Sequence, residues 1–180
     1  MKRLYLIRHA KSSWDNPNLS DFERPLNERG RAAARNMSAW FAREASPTPQ
    51  KLIASPATRA MQTAERFAEA LKINPQAIEQ DPRIYDAALN TLVQVVEGLP
   101  NATDSIVLFG HNPGFSELAD FLLHEYSGSV PTCAVTALDV LSTHWKDVRT
   151  AEVRLVLRMT PKQLAARCEM SNKDNESWNQ

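Results

Sequence analysis

The chain has 180 residues, 21 lysines and arginines against 21 aspartates and glutamates, and a formal net charge of zero. That length suits one domain with a sizeable core, expected over residues 1–170, and the even charge balance argues against a general binder of nucleic acid or anionic membrane, which needs a basic surplus. The N-terminal apolar run, Leu4–Ile7, is too short for a signal-peptide core or a membrane span, so a cytoplasmic protein is expected, and Cys133 and Cys168 lack metal-ligand spacing and read as free thiols.

In chain order the pattern alternates strand and helix. "LYLI" is a continuous apolar run, as in a strand covered on both faces, and it ends in Arg8 and His9. A polar loop follows over residues 11–27. Asn27 is a cap for the helix "ERGRAAARNMSAWFAREA", with Met37, Trp40 and Phe41 on one face. "KLIAS" is a short strand. Ser55 and Pro56 then read as a cap and a first-turn proline, opening a helix with Ala60, Ala64, Phe67 and Leu71 in one stripe. "RIYDAALN" leads to a helix around "TLVQVVEGL". "SIVLF" is a second fully apolar strand, running into "GHNPG" and a helix through Phe115, Leu118, Leu122 and Leu123.

The last third changes character. "CAVTALDVL" reads as a strand. "AEVRLVLRM" alternates, with Val153, Leu155, Leu157 and Met159 on one side, as in a half-exposed antiparallel strand near a sheet edge. "TPKQLAARC" offers a short helix capped by Thr160, and residues 171–180 read as a polar, disordered tail. The expected fold is α/β, a three-layer sandwich with a mostly parallel, mixed central sheet flanked by helices.

"YLIRHA" and "VLFGHN" are the informative pair, since both are apolar strands that deliver a histidine at their carboxyl ends. Ligands of open α/β sheets bind beyond those ends, so His9 and His111 would share a crevice if the strands are neighbours. Arg8 adjoins His9. Arg59 lies in the first turns of a helix, where backbone N–H groups also favour an anion. "NPG" after His111 starts another helix. Two histidines, arginines and two helix starts make a site for a compact, multiply charged anion, with phosphate the obvious candidate. Arginines would oppose a catalytic metal, and no zinc, P-loop or serine-elbow motif is present. No cofactor is expected.

These residues resemble the histidine phosphatase superfamily, the phosphoglycerate-mutase-like fold. "RHA" at 8–10, "SPATRAMQTA" at 55–64 and "GHNPG" at 110–114 are similar to its three motifs, in order. "RHAKSSW" and "DFERPLNERG" at 21–30 resemble its SixA-like phosphohistidine phosphatase branch. The resemblance implies that His9 is the nucleophile and becomes phosphorylated, and that Arg8, Arg59 and His111 bind the phosphoryl group. Ala10 stands where the superfamily usually has glycine, and would resist a positive φ. The glutamate acid of other branches has no counterpart here; Asp86 is the candidate, with a capping aspartate as the alternative. Glu117 reads as a surface residue complementing a helix dipole. Lys11 is a candidate for added phosphate binding at the rim. Trp14 reads equally as a substrate contact or a loop-packing residue. Arg24, Arg29 and Arg31 read as a solvated helix start or a surface patch, and His124 and His144 as structural or solvent-exposed.

The expected function is a metal-independent phosphatase acting on phosphohistidine of a protein partner. The alternatives are a small-molecule phosphomonoester phosphatase or mutase of the same superfamily, and a non-catalytic phosphate-binding module.

Overall fold

The structure, a computed structural model, describes the backbone of residues 1–177 and the side chains of residues 1–170. Six strands form one sheet: β1 (Lys2–Arg8), β2 (Lys51–Ala54), β3 (Glu79–Gln80), β4 (Ser105–Gly110), β5 (Val135–Val140) and β6 (Val153–Met159). Their order is β3-β2-β4-β1-β5-β6. The β1–β4, β2–β4 and β2–β3 pairs are parallel, while β5 is antiparallel to both β1 and β6. This is the mixed, mostly parallel sheet expected.

Each face of the sheet carries one apolar layer. Helices α1 (Glu28–Glu44), α2 (Thr58–Ala70) and α5 (Pro161–Ser177) cover one side. There Met37, Trp40, Phe41, Phe67 and Leu164 pack against Tyr5, Ile7, Val107 and Phe109. Helices α3 (Leu89–Glu97) and α4 (Gly114–Leu123) cover the other side. Their Leu92, Val96, Phe115 and Leu118 meet Leu4, Leu6, Ile106 and Leu108. Alternate residues of β1 and β4 thus feed opposite layers, which is why both strands read as unbroken apolar runs. Burying one such side chain contributes about 1.5–3 kcal/mol. None of the described helices is long and apolar enough to cross a membrane.

Local signals explain most boundaries. Asn27 caps α1, its side chain accepting from the Gly30 amide. Gly30 itself is required by contact: a Cβ there would lie 2.1 Å from the Lys11 carbonyl oxygen, so the first turn of α1 is pressed directly onto the chain leaving β1. Three expectations need correction. Ser55 is not the cap of α2, which begins at Thr58 after Ala57 and has no side-chain cap. The alternation in β6 is broken by a bulge at Val156, between the Ala137–Leu157 and Leu138–Leu155 pairs, so Leu155 and Val156 both face solvent. Helix α5 also runs well beyond the short helix expected. The tail expected from residue 171 falls on its last turns and on residues 178–180, which lie outside the described residues.

Candidate active site

Because β1 and β4 are parallel neighbours with Arg8 beside Gly110, the residues that follow emerge together. The rings of His9 and His111 lie 5.1 Å apart between centroids. Both are nearly buried, 8% and 7% exposed. The end of β1 is fastened by the Cys133 amide, which donates to the Arg8 and His9 carbonyls, and by Ala10, whose amide donates to Thr63 Oγ1 at 3.0 Å. Ala10 is fully buried and does not adopt a positive φ, so its Cβ costs the backbone nothing.

The hydrogen bonds set the state of the His9 imidazole. His9 Nδ1 lies 2.7 Å from the Ala10 carbonyl, which can only accept, so Nδ1 carries the proton. His9 Nε2 is then unprotonated, and its lone pair accepts from Arg59 Nε at 3.2 Å. His111 Nε2 lies 2.8 Å from Ser55 Oγ. Ser55 Oγ also accepts from the Ala57 amide, and with a second lone pair and its own proton it satisfies either ring tautomer of His111. His111 Nδ1 is a buried atom with no protein partner. Burial lowers the His9 pKa to about 4, aided by the nearby Arg59, Arg8 and Arg24, despite the Ala10 carbonyl. Burial likewise lowers that of His111 to about 3, with His9, Arg59 and Arg8 adding to it against Asp21. Both rings are therefore neutral near pH 7.

Cationic groups surround the pair. Arg59, in the first turn of α2, is 6% exposed. Its Nη2 donates to Asp21 Oδ2 at 2.8 Å and its Nη1 to the Asp21 carbonyl. Arg8 Nη1 donates to the Val130 carbonyl at 2.9 Å, while its buried Nε has no partner. Arg24, read from the sequence as part of a surface, is in fact buried, with Nε and Nη1 lacking partners. Its Nη2 pairs with Asp21, and its guanidinium lies 3.5 Å from the ring centroid of Trp14. The Asp21 carboxyl is held down at about 2: burial opposes ionisation, but hydrogen bonds from Arg24, Arg59 and Tyr85 outweigh it.

These groups line one cleft of about 560 Å³, which also takes in Lys11, Trp14, Tyr85, Asp86 and Asn112. Every residue assigned a role from the sequence, His9, Arg8, Arg59, His111, Asp86 and Lys11, faces it. Lys11 is exposed at its rim. Asp86 has φ 46°, a left-handed conformation that costs a non-glycine residue of order 1 kcal/mol. The following segment is pinned, since a Cβ on Gly114 of α4 would lie 2.7 Å from the Ala87 carbonyl oxygen. Sequence reasoning missed Asp21, Arg24, Ser55 and Tyr85. The three-residue spacing of Asp21 and Arg24 was the available signal for the first two, and nothing local marked the others.

Chemically, the cleft presents an unprotonated imidazole nitrogen beneath guanidinium and N–H donors that the protein itself leaves unpartnered. Unsatisfied buried donors are costly unless an acceptor completes them, and a tetrahedral oxyanion does so. Among the described residues, no three His, Cys, Asp or Glu side chains are grouped so as to hold a metal ion.

Comparison with known proteins agrees with this geometry. The family model described as the histidine phosphatase superfamily, branch 1, matches residues 4–103. An uncharacterised chloroplastic protein of Arabidopsis thaliana is 31% identical over 156 residues, covering 81% of this chain and 70% of the relative. A crystal structure from Agrobacterium tumefaciens assigned to the phosphohistidine phosphatase SixA is similar at TM-score 0.75, with 28% identity over 89% of this chain and 98% of that one. The protein histidine phosphatase SixA complexed with tungstate shares the fold at TM-score 0.77, with 21% identity over 90% and 99% of the two chains.

Proposed function

The chain belongs to the histidine phosphatase superfamily and is a phosphatase of that type; from that premise we propose that it works without a metal ion, through a phosphohistidine on His9, and that its substrate is phosphohistidine on another protein. The observation that carries the reading is the His9 ring itself: Nδ1 is committed to the Ala10 carbonyl, and Nε2 is a neutral lone pair beside Arg59.

In the first step His9 Nε2 attacks phosphorus. The Nε2–P bond forms as the P–N bond to the substrate imidazole breaks, and that nitrogen takes the electron pair and a proton. Asp86, in the cleft, is the proposed donor of the proton. The positive charge that the His9 ring acquires is stabilised by its Nδ1–H bond to Ala10. Arg8, Arg59 and His111 hold the equatorial oxygens, where the transition state spreads its charge; Lys11 adds attraction at the rim. In the second step water attacks phosphorus, the Nε2–P bond breaks, Asp86 recovers its proton and inorganic phosphate is released. A protein substrate is supported by the open rim, where Trp14 is 77% exposed. No organic cofactor enters this scheme, and the expected cytoplasmic site of action remains part of the proposal.

The test offers a histidine-phosphorylated phosphotransfer protein and p-nitrophenyl phosphate, each with and without EDTA. The expected result is faster turnover of the protein substrate, unchanged by EDTA, and acid-labile phosphate trapped on the wild-type chain but not on His9→Ala. Trapping on His9→Ala would overturn the nucleophile. Loss of turnover in EDTA would overturn the metal-free mechanism, and preference for small phosphomonoesters would overturn the protein substrate.

A further inference from the structure

Trp14 is an unusual expenditure of apolar surface. It is 77% exposed, yet it follows a well-anchored loop base: Ser12 bridges Leu26, and the Ser13 amide donates to the Pro25 carbonyl at 2.8 Å. Exposing an indole gains nothing for the fold. Its placement is nonetheless fixed from beneath, because the buried Arg24 guanidinium lies 3.5 Å from the ring centroid. Arg24 is fixed in turn by Asp21, Asp21 binds Arg59, and Arg59 donates to His9 Nε2. An unbroken series of contacts therefore ties the indole to the nitrogen proposed to attack phosphorus.

Trp14 also lies on a border. It lines the catalytic cleft, and it lines a second cleft of about 360 Å³ with Asn16, Pro17 and Leu19, sharing Asp21 and Arg24 with the first. The inner cleft supplies charged donors for a phosphoryl group. The border supplies a flat aromatic face and the outer cleft apolar walls, with only Asn16 as an added hydrogen-bonding side chain. A sugar or polyol leaving group needs an array of donors and acceptors; a planar ring needs a face.

We propose that Trp14, seated on Arg24, is the platform for the leaving group and selects phosphoryl groups carried on a planar ring, with the chain that bears the ring continuing past Pro17 and Leu19. This inference rests on the proposed function and assigns the part of the substrate that the reaction itself does not define. Trp14 acts as a specificity residue, and the bonds made and broken are those already described.

The experiment compares kcat/KM for two substrates with the same P–N bond, a phosphohistidine peptide and phosphoramidate, which releases ammonia and has no ring. Trp14→Ala is expected to lose about tenfold more activity on the peptide than on phosphoramidate, the size of one aromatic stacking contact. Trp14→Phe, which keeps a ring, is expected to recover most of the difference. An equal loss on both substrates overturns the inference, because Trp14 then only supports the loop. So does an undiminished preference in Trp14→Ala, or a Trp14→Phe as impaired as Trp14→Ala. Wild-type turnover of phosphoramidate alone overturns the platform and the phosphohistidine substrate while leaving the His9 chemistry standing. Turnover of neither overturns both readings.

Discussion

Strand β1 carries buried cations at its start and a half-buried one at its end, and the two ends treat them in opposite ways. At its start Lys2 is 1% exposed and fully engaged: its ammonium donates to the Asn101 carbonyl at 2.6 Å, pairs with Asp104 at 2.7 Å and faces the Trp145 ring. Arg3 next to it makes a fork with Asp139 and reaches the Ser46 carbonyl. At the other end Arg8 Nε has no partner, nor do two nitrogens of Arg24 or Nδ1 of His111. Burial disfavours the charged form of Arg8, with no carboxylate to oppose it. A buried cation matched to a carboxylate and to carbonyls belongs to the architecture. Buried donors without acceptors, gathered at the carboxyl end of a parallel sheet, belong to a ligand.

The comparison can be broken by mutating its two ends. Arg59→Ala is expected to lower kcat/KM about 10²–10³-fold, or roughly 3–4 kcal/mol of transition-state stabilisation, with little change in the urea midpoint; a large loss of stability with intact turnover would make Arg59 architectural. Arg3→Ala should do the reverse, costing about 2–3 kcal/mol in urea unfolding by stranding Asp139 while kcat/KM stays close to wild type. Acid adds a third contrast. An unfolded histidine protonates near pH 6.5, whereas folded His9 and His111 resist to about 4 and about 3. The unfolded chain therefore binds more protons as pH falls from about 6.5 to about 4, and stability should decline through that window. His9→Gln should flatten the decline, and an unchanged slope would refute neutral burial. The smallest effect is expected from Ser55→Ala, about fivefold in kcat/KM, because one hydrogen bond that holds the His111 ring in place is lost; unaltered kinetics would show that His111 needs no such support.

How much of this could be read in advance followed the reach of each signal. His9 and His111 were legible because an apolar run that ends in a polar ring is anomalous within a few residues, and the parallel β1–β4 register then brought them together. Arg59 was legible from its place just after Ser55 and Pro56. Arg24 was not: in a polar loop it resembles any solvated arginine, and only the return of that loop over the cleft buries it beside Trp14. Ser55 was noticed for the wrong reason, since its hydroxyl serves a histidine 56 residues away as well as the nearby backbone. In β6 the alternation correctly announced an antiparallel strand, while the bulge at Val156, a property of the pairing and not of either strand alone, changed which residues meet solvent.

Asp21 gives this cleft a property that a purely cationic one would lack. Its carboxylate engages Arg59 and Arg24 and is ionised at any pH above about 2. In the proposed cycle, phosphate entering the cleft meets arginines whose attraction is already partly offset by a carboxylate that stays in place throughout. A deeper electrostatic well would capture substrate more tightly, but it would also retain the spent anion and slow the next cycle. With Asp21 in place, the depth of the well is set by the protein, and the proposed cycle would hold its spent phosphate less tightly.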